Sequence, residues 1–218
     1  MLTPKQTRML EILDNQVKRC EDCSLCVGGK VIPSWHQNSR YCIIGEAPGQ
    51  YEVQQQMPLV GGAGQVLTNE LGDLGFKKSD FLILNSVQCR PINYKDKPDE
   101  RQLGLCQKWI RKYLKVLRPE KILCLGNYAK WYFTRSFTGI MRDRGVWRFY
   151  NSDLTLGDFD GVTSLEYNVL FTVHPAFCIY NEEGSELLHK DLLLFKNTKF
   201  ERTFYSDREF SEEEFMLK

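Results

Sequence analysis

Apolar and polar positions along this chain follow two rhythms. Residues 3–18 place Met9, Leu10, Ile12, Leu13 and Val17 at helical spacing, with Thr3 as a capping residue and Pro4 at the first helical position. Four compact apolar runs follow: Tyr41–Ile44, Phe81–Val87, Lys121–Leu125 and Val169–Val173. Each is short, and each is followed closely by Gly, Asn or His, which predicts buried strands rather than helices. Between them the period returns to helical. Residues 65–74 put Val66, Leu67, Leu71 and Leu74 on one face, and a helix from about Arg101 to Leu117 stops before Pro119. An aromatic-rich helix with Tyr128, Trp131, Tyr132 and Phe133 follows Gly126, and a last helix covers about residues 185–195. Val146–Tyr150 is a candidate extra strand, and residues 151–167, rich in Asp and Gly, read as a hairpin or surface loop. Strands alternating with helices at this spacing predict an α/β domain, a parallel sheet with helices on both faces.

The 218 residues suit one domain, set at residues 1–198, followed by a tail at 199–218. Net charge is only +1, which excludes a global electrostatic field for nucleic acid and leaves room for a local patch. Residues 200–218 hold six acidic and three basic residues, net −3, so the preceding body carries +4. Disorder is the expectation for this acidic tail, with a short partner-binding peptide as its functional reading. No run of 18 apolar residues is present, and the first residues lack the apolar core of a signal peptide. The expectation is an intracellular, cytoplasmic protein.

Eight cysteines then become informative, because disulfides are rare in a reducing compartment. Cys20-x2-Cys23 is a two-ligand knuckle, and Cys89 and Cys106 flank a polar loop. Thiolates are soft ligands that iron–sulfur clusters and zinc select, and spacing alone does not choose between the two. Cys26 fits the same spacing after Cys23. Cys42, Cys124 and Cys178 lie in or beside apolar runs and read as buried small hydrophobes.

The remaining chemistry gathers at strand ends. Gly45-Glu46-Ala47-Pro48-Gly49 closes the first strand in a tight turn, Asn85 falls in the second, and His174-Pro175-Ala176 follows the fourth. In open α/β sheets ligands bind beyond the carboxyl ends of the strands. An Asn there suits reading a nucleobase edge, although Asn and His are also common in plain turns. Lys108, Arg111, Lys112, Lys115 and Arg118 mark one helix as either a solvated face or a phosphate-contact stripe.

Taken in order over roughly residues 20 to 195, these motifs resemble the uracil-DNA glycosylase superfamily, and most closely its iron–sulfur-containing family 4. Beyond the cysteines, the likeness rests on Gly45-Glu46-Ala47-Pro48-Gly49 with Glu52, Pro58-Leu59-Val60-Gly61-x-Ala63-Gly64-Gln65, Asn85-x3-Cys89-Arg90-Pro91, Leu125-Gly126, Arg144-Gly145-x-Trp147 and His174-Pro175-Ala176. The resemblance implies a three-layer α/β/α sandwich around a four-stranded parallel sheet. It also implies a structural [4Fe-4S] cluster on Cys20, Cys23, Cys89 and Cys106. The implied reaction is hydrolysis of the N-glycosidic bond of deoxyuridine in DNA. Glu46 and His174 would be catalytic, Ala47, Glu52, Leu59 and Asn85 would bind the base, and Arg90 and Tyr180 would meet the DNA. A monomer is the expectation, and a replication or repair protein is the candidate partner of the acidic tail, which has no counterpart in the family. Leu59 departs from the family's aromatic ring and Tyr180 from its common Arg. A glycosylase-fold binding protein with weak or no excision is therefore the alternative, and a zinc-binding repair accessory the third reading.

Overall fold

A computed structural model describes residues 1–93, 96–151 and 166–200. Helix α1 (Pro4–Arg19) begins with a reciprocal cap: the Gln6 backbone N–H donates to Thr3 Oγ1 at 3.2 Å, and the Thr3 N–H donates to Gln6 Oε1 at 2.9 Å. Its Met9, Leu10, Leu13 and Val17 are buried, and it packs on α4 (Glu100–Leu117).

The strands are β1 (Tyr41–Gly45), β2 (Phe81–Asn85), β3 (Lys121–Leu125), β4 (Trp147–Asn151) and β5 (Glu166–Thr172), in the order β2-β1-β3-β5-β4. The four parallel strands expected from the sequence are β1, β2, β3 and β5. The sheet has five strands rather than four, because β4 adds an antiparallel edge to β5. Both ends of the expected 151–167 excursion are strand, since Asn151 pairs with Glu166 and Tyr150 with Tyr167. The remainder of that excursion, and the tail from residue 201, lie outside the described residues.

Every residue of β2 and β3 is buried, which is why they read as unbroken apolar runs. Alternation along the strands divides the core in two. Cys42, Ile44, Leu82, Leu84, Ile122, Cys124, Val169 and Phe171 face α1, α4 and α5 (Gly126–Thr134). Ile43, Ile83, Leu123, Leu125 and Leu170 face α3 (Gly62–Asp73) and α8 (Glu182–Asn197). This is the three-layer α/β/α arrangement. Short helices α2 (Gln50–Gln55), α6 (Ile140–Asp143) and α7 (Pro175–Cys178) lie in the connections. The Arg144 motif is structural: its guanidinium binds buried Asp191 of α8 through two bonds of 2.9 and 2.6 Å.

Candidate active site and cysteine recess

Strand β1 lies between β2 and β3, so the chain leaves it to one side and later returns to the other. The carboxyl end of β1 is thus a topological switch point, where a doubly wound sheet opens a crevice. The turn carrying Glu46 occupies it. Asn85 ends β2 in register with Gly45, and His174 lies two residues beyond β5.

Two glycines make room for these side chains. A Cβ on Gly45 would stand 2.4 Å from Asn85 Oδ1, and one on Gly126 would stand 3.0 Å from the Cβ of His174. Gly126 also takes φ +78°, a conformation that side chains disfavour. The Gly45 and Leu125-Gly126 motifs are therefore spacers for the two polar side chains.

Asn85 is only 5% exposed, and among the described residues nothing hydrogen-bonds its side-chain amide. Its backbone carbonyl accepts from Gln88 Nε2 at 2.5 Å. His174 caps α7, and its Nδ1 accepts the Ala176 backbone N–H at 3.2 Å. That bond assigns the ring proton to Nε2, leaving a neutral N–H donor. Burial holds the His174 pKa below its ordinary 6.5; the Glu46 charge raises it in opposition, and Lys97 lowers it further.

Glu46 Oε1 accepts from Lys97 Nζ at 2.5 Å. Sequence reasoning missed Lys97; its only signal is a cation placed before Pro98 in the loop between Cys89 and Cys106. Glu52 Oε1 accepts the backbone N–H groups of Val60 (3.1 Å) and Gly61 (2.7 Å). It braces the loop that carries Leu59, whose φ is +55° and whose carbonyl accepts from Lys78 Nζ at 2.7 Å. Ala47 is half-buried against Leu25, Val87 and Trp131, Arg90 is half-buried, and Tyr180 stands 91% exposed beyond α7.

The four expected cysteines do meet. Cys20, Cys23, Cys89 and Cys106 line one recess, together with Cys26, Lys30 and Trp109. Among the described residues no three His, Cys, Asp or Glu side chains are placed to hold a single metal ion. Burial raises Cys89 to about 11 and Cys106 to about 12. The Gln88 N–H donates to Cys106 Sγ at 3.3 Å. Cys42, Cys124 and Cys178 are buried in the two cores, as their apolar settings suggest. The basic helix face is largely engaged: Lys108 pairs with Asp22 at 2.5 Å, and Lys108 and Lys112 both lie over the Trp109 ring.

The family model for the uracil DNA glycosylase superfamily matches residues 33–206. The chain belongs to the uracil-DNA glycosylase superfamily. Curated relatives named type-4 uracil-DNA glycosylase support the same placement. That of Saccharolobus solfataricus is 31% identical over 84% of this chain and 82% of its own, and that of Archaeoglobus fulgidus 32% identical over 84% and 90%. The Pyrobaculum aerophilum relative is 28% identical over 85% and 92%. Among the described residues, no helix of this superfamily member is long and apolar enough to cross a membrane.

Proposed function

We propose that this chain is a uracil-DNA glycosylase that hydrolyses the N-glycosidic bond of deoxyuridine, releasing uracil and leaving an abasic site. One observation carries the reading: Glu46, Asn85 and His174 gather where β1, β2 and β5 end, with Gly45 and Gly126 vacating space for the last two.

A base in a stacked duplex is out of reach of this crevice, so the nucleotide is flipped into it. The free Asn85 amide, both donor and acceptor, reads the Watson–Crick edge, and the turn at Glu46 and Ala47 offers backbone N–H groups to a carbonyl. As the bond to C1′ breaks, its electron pair leaves with the uracil. The Nε2–H of His174 donates to the O2 on which that charge grows, and a neutral donor fixed in advance suits this role. The sugar becomes oxocarbenium-like, which the Glu46 carboxylate favours while orienting the water that adds to C1′. Glu52 and Leu59 shape the wall over the base, and Arg90 and Tyr180 lie toward the DNA.

Cys20, Cys23, Cys89 and Cys106 would hold a [4Fe-4S] cluster. Soft thiols around a shared recess fit it, and binding metal offsets the burial that otherwise keeps Cys89 and Cys106 protonated. The cluster supplies structure, closing the loop between Cys89 and Cys106. Purified protein should be yellow-brown; a colourless zinc protein would favour the accessory reading.

The alternative, a DNA- or partner-binding protein that cleaves poorly, rests on Leu59. Excision from single- and double-stranded uracil oligonucleotides, developed by alkaline cleavage, decides between them. Cleavage by wild type establishes the enzyme. Silence from wild type and from Leu59→Phe, in folded iron-loaded protein, favours the binding reading.

A further inference from the structure

We propose that Lys97 is a positioning residue of the excision site, holding the Glu46 carboxylate in place from the loop that joins Cys89 to Cys106. The inference rests on the uracil-excision reading and extends it to a residue outside the motifs.

Lys97 Nζ donates to Glu46 Oε1 at 2.5 Å across 51 positions of sequence. The Glu46 side chain is 20% exposed and that of Lys97 56%, so the carboxylate sits inside the mouth and the ammonium at its rim. Nζ also lies 5.7 Å from the centre of the Tyr128 ring on α5. Lys97 therefore touches both the β1 turn and the helix that starts at Gly126.

The backbone beneath Lys97 is held from both sides. Pro98 is buried, and a residue preceding proline is restricted to extended conformations. Asp99 then caps α4, accepting the Gln102 N–H at 2.7 Å, and Gln102 Nε2 donates to Ser24 Oγ beside the first cysteine pair at 3.1 Å. On the other side the Asp96 N–H donates to the Asn93 carbonyl at 3.0 Å, and Asn93 Nδ2 donates to Asp96 Oδ2 at 2.8 Å. Pro98 and the Asp99 cap thus restrain the backbone next to Lys97.

An ion pair this open to water adds little to stability. Its effect is orientation: a carboxylate on a Gly-rich turn has several rotamers, and this pair selects one. Burial chiefly lowers the His174 titration, Glu46 raises it in opposition, and Lys97 adds a smaller lowering. A phosphate contact is the competing role for such a lysine, and it differs in what it changes. It would act on affinity and salt dependence, whereas positioning acts on the bond-breaking step.

The test compares wild type, Lys97→Ala, Lys97→Arg, Glu46→Ala and the Lys97→Ala/Glu46→Ala double variant. It reads single-turnover excision at saturating enzyme, affinity for a uracil oligonucleotide at several salt concentrations, and the His174 titration by NMR, with thermal unfolding to confirm folding. Lys97→Ala should slow excision on the order of tenfold, with affinity and salt slope unchanged and the His174 titration moved up. Lys97→Arg should recover most of the rate, and Lys97→Ala should add nothing in the Glu46→Ala background. An unchanged saturating rate with a salt slope smaller by about one unit would make Lys97 a phosphate contact and overturn the proposal. An equal loss in the Glu46→Ala background would overturn it too. If wild type does not excise, the functional reading falls by itself. In that case a raised His174 titration in Lys97→Ala still upholds the pair, and an unmoved one removes it.

Discussion

Asn85 fills the space that a side chain on Gly45 would need: the two residues pair across β1 and β2, and Asn85 Oδ1 lies 2.4 Å from where a Gly45 Cβ would stand. Because Asn85 is buried and backed by the sheet, it has little room to yield. Gly45→Ala should therefore push the amide out of place. Stability should fall by about 1–3 kcal/mol, as for other overpacked cores, while excision falls by more than the folded fraction accounts for. Denaturant unfolding and single-turnover excision on the same sample check this.

His174→Ala should lower excision by about 10²–10³-fold, the usual effect of losing one donor to a developing anion. Asn85→Ala should also lose most excision, and both variants should stay folded. Wild-type rates in both would remove these residues from the site.

The pH dependence of His174 has a defined sign. Its folded pKa lies below 6.5, so the neutral donor persists to lower pH than for a free imidazole and is lost as pH falls through that value. The Glu46 charge raises this pKa, so Glu46→Gln should lower it further. An NMR titration of the three histidines, assigned with His174→Ala, reads the direction.

With Cys89 as one of the four proposed cluster ligands lining the recess, Cys89→Ser should lose iron and solubility. Cys26→Ser tests the fifth thiol on the recess. With Cys20, Cys23, Cys89 and Cys106 as ligands, it should keep full iron content and visible absorbance. Iron loss there, with Cys20→Ser unchanged, would exchange the two in the ligand set.

Glu52→Ala removes the acceptor for two backbone N–H groups at the start of α3 and should destabilise by about 1–3 kcal/mol. Glu52→Gln retains an acceptor oxygen and should be milder in urea unfolding. Leu59→Phe, on the loop that Glu52 braces, should strengthen binding of uracil DNA by up to about 1–3 kcal/mol through stacking, read as a lower Kd.

Lys121 gives a stability prediction far from the site. Burial lowers its pKa from 10.5 to about 8, opposed by Glu120, and its ammonium donates to the carbonyls of Phe195 and Thr198. Between pH 8 and 10.5 the unfolded chain binds more protons at this position, so its contribution to stability rises with pH across that window. Subtracting the stability–pH curve of Lys121→Met from that of wild type should isolate the rise.

What the sequence alone determined was whatever repeats within a few residues. Strand runs, helix faces and the Thr3 cap are local, so the α/β layering and the strand-end positions of Glu46, Asn85 and His174 were legible. Four parallel strands were legible too, because β2 and β3 are buried throughout and β1 and β5 are buried along their apolar runs. β4 was harder to read because it is an edge strand with no fully buried residue, and β5 extends back to Glu166 only because β4 pairs with it. Gathering Cys20, Cys23 and Cys26 with Cys89 and Cys106 required the fold, and so did the finding that Cys26 shares their recess. Glu52 was legible as part of the first motif, but its two backbone partners, Val60 and Gly61, are visible only in the fold. Lys97 left almost no trace in the sequence, because its meaning is a contact 51 positions away. Local periodicity records which way a side chain faces; only tertiary packing decides which distant group it meets there.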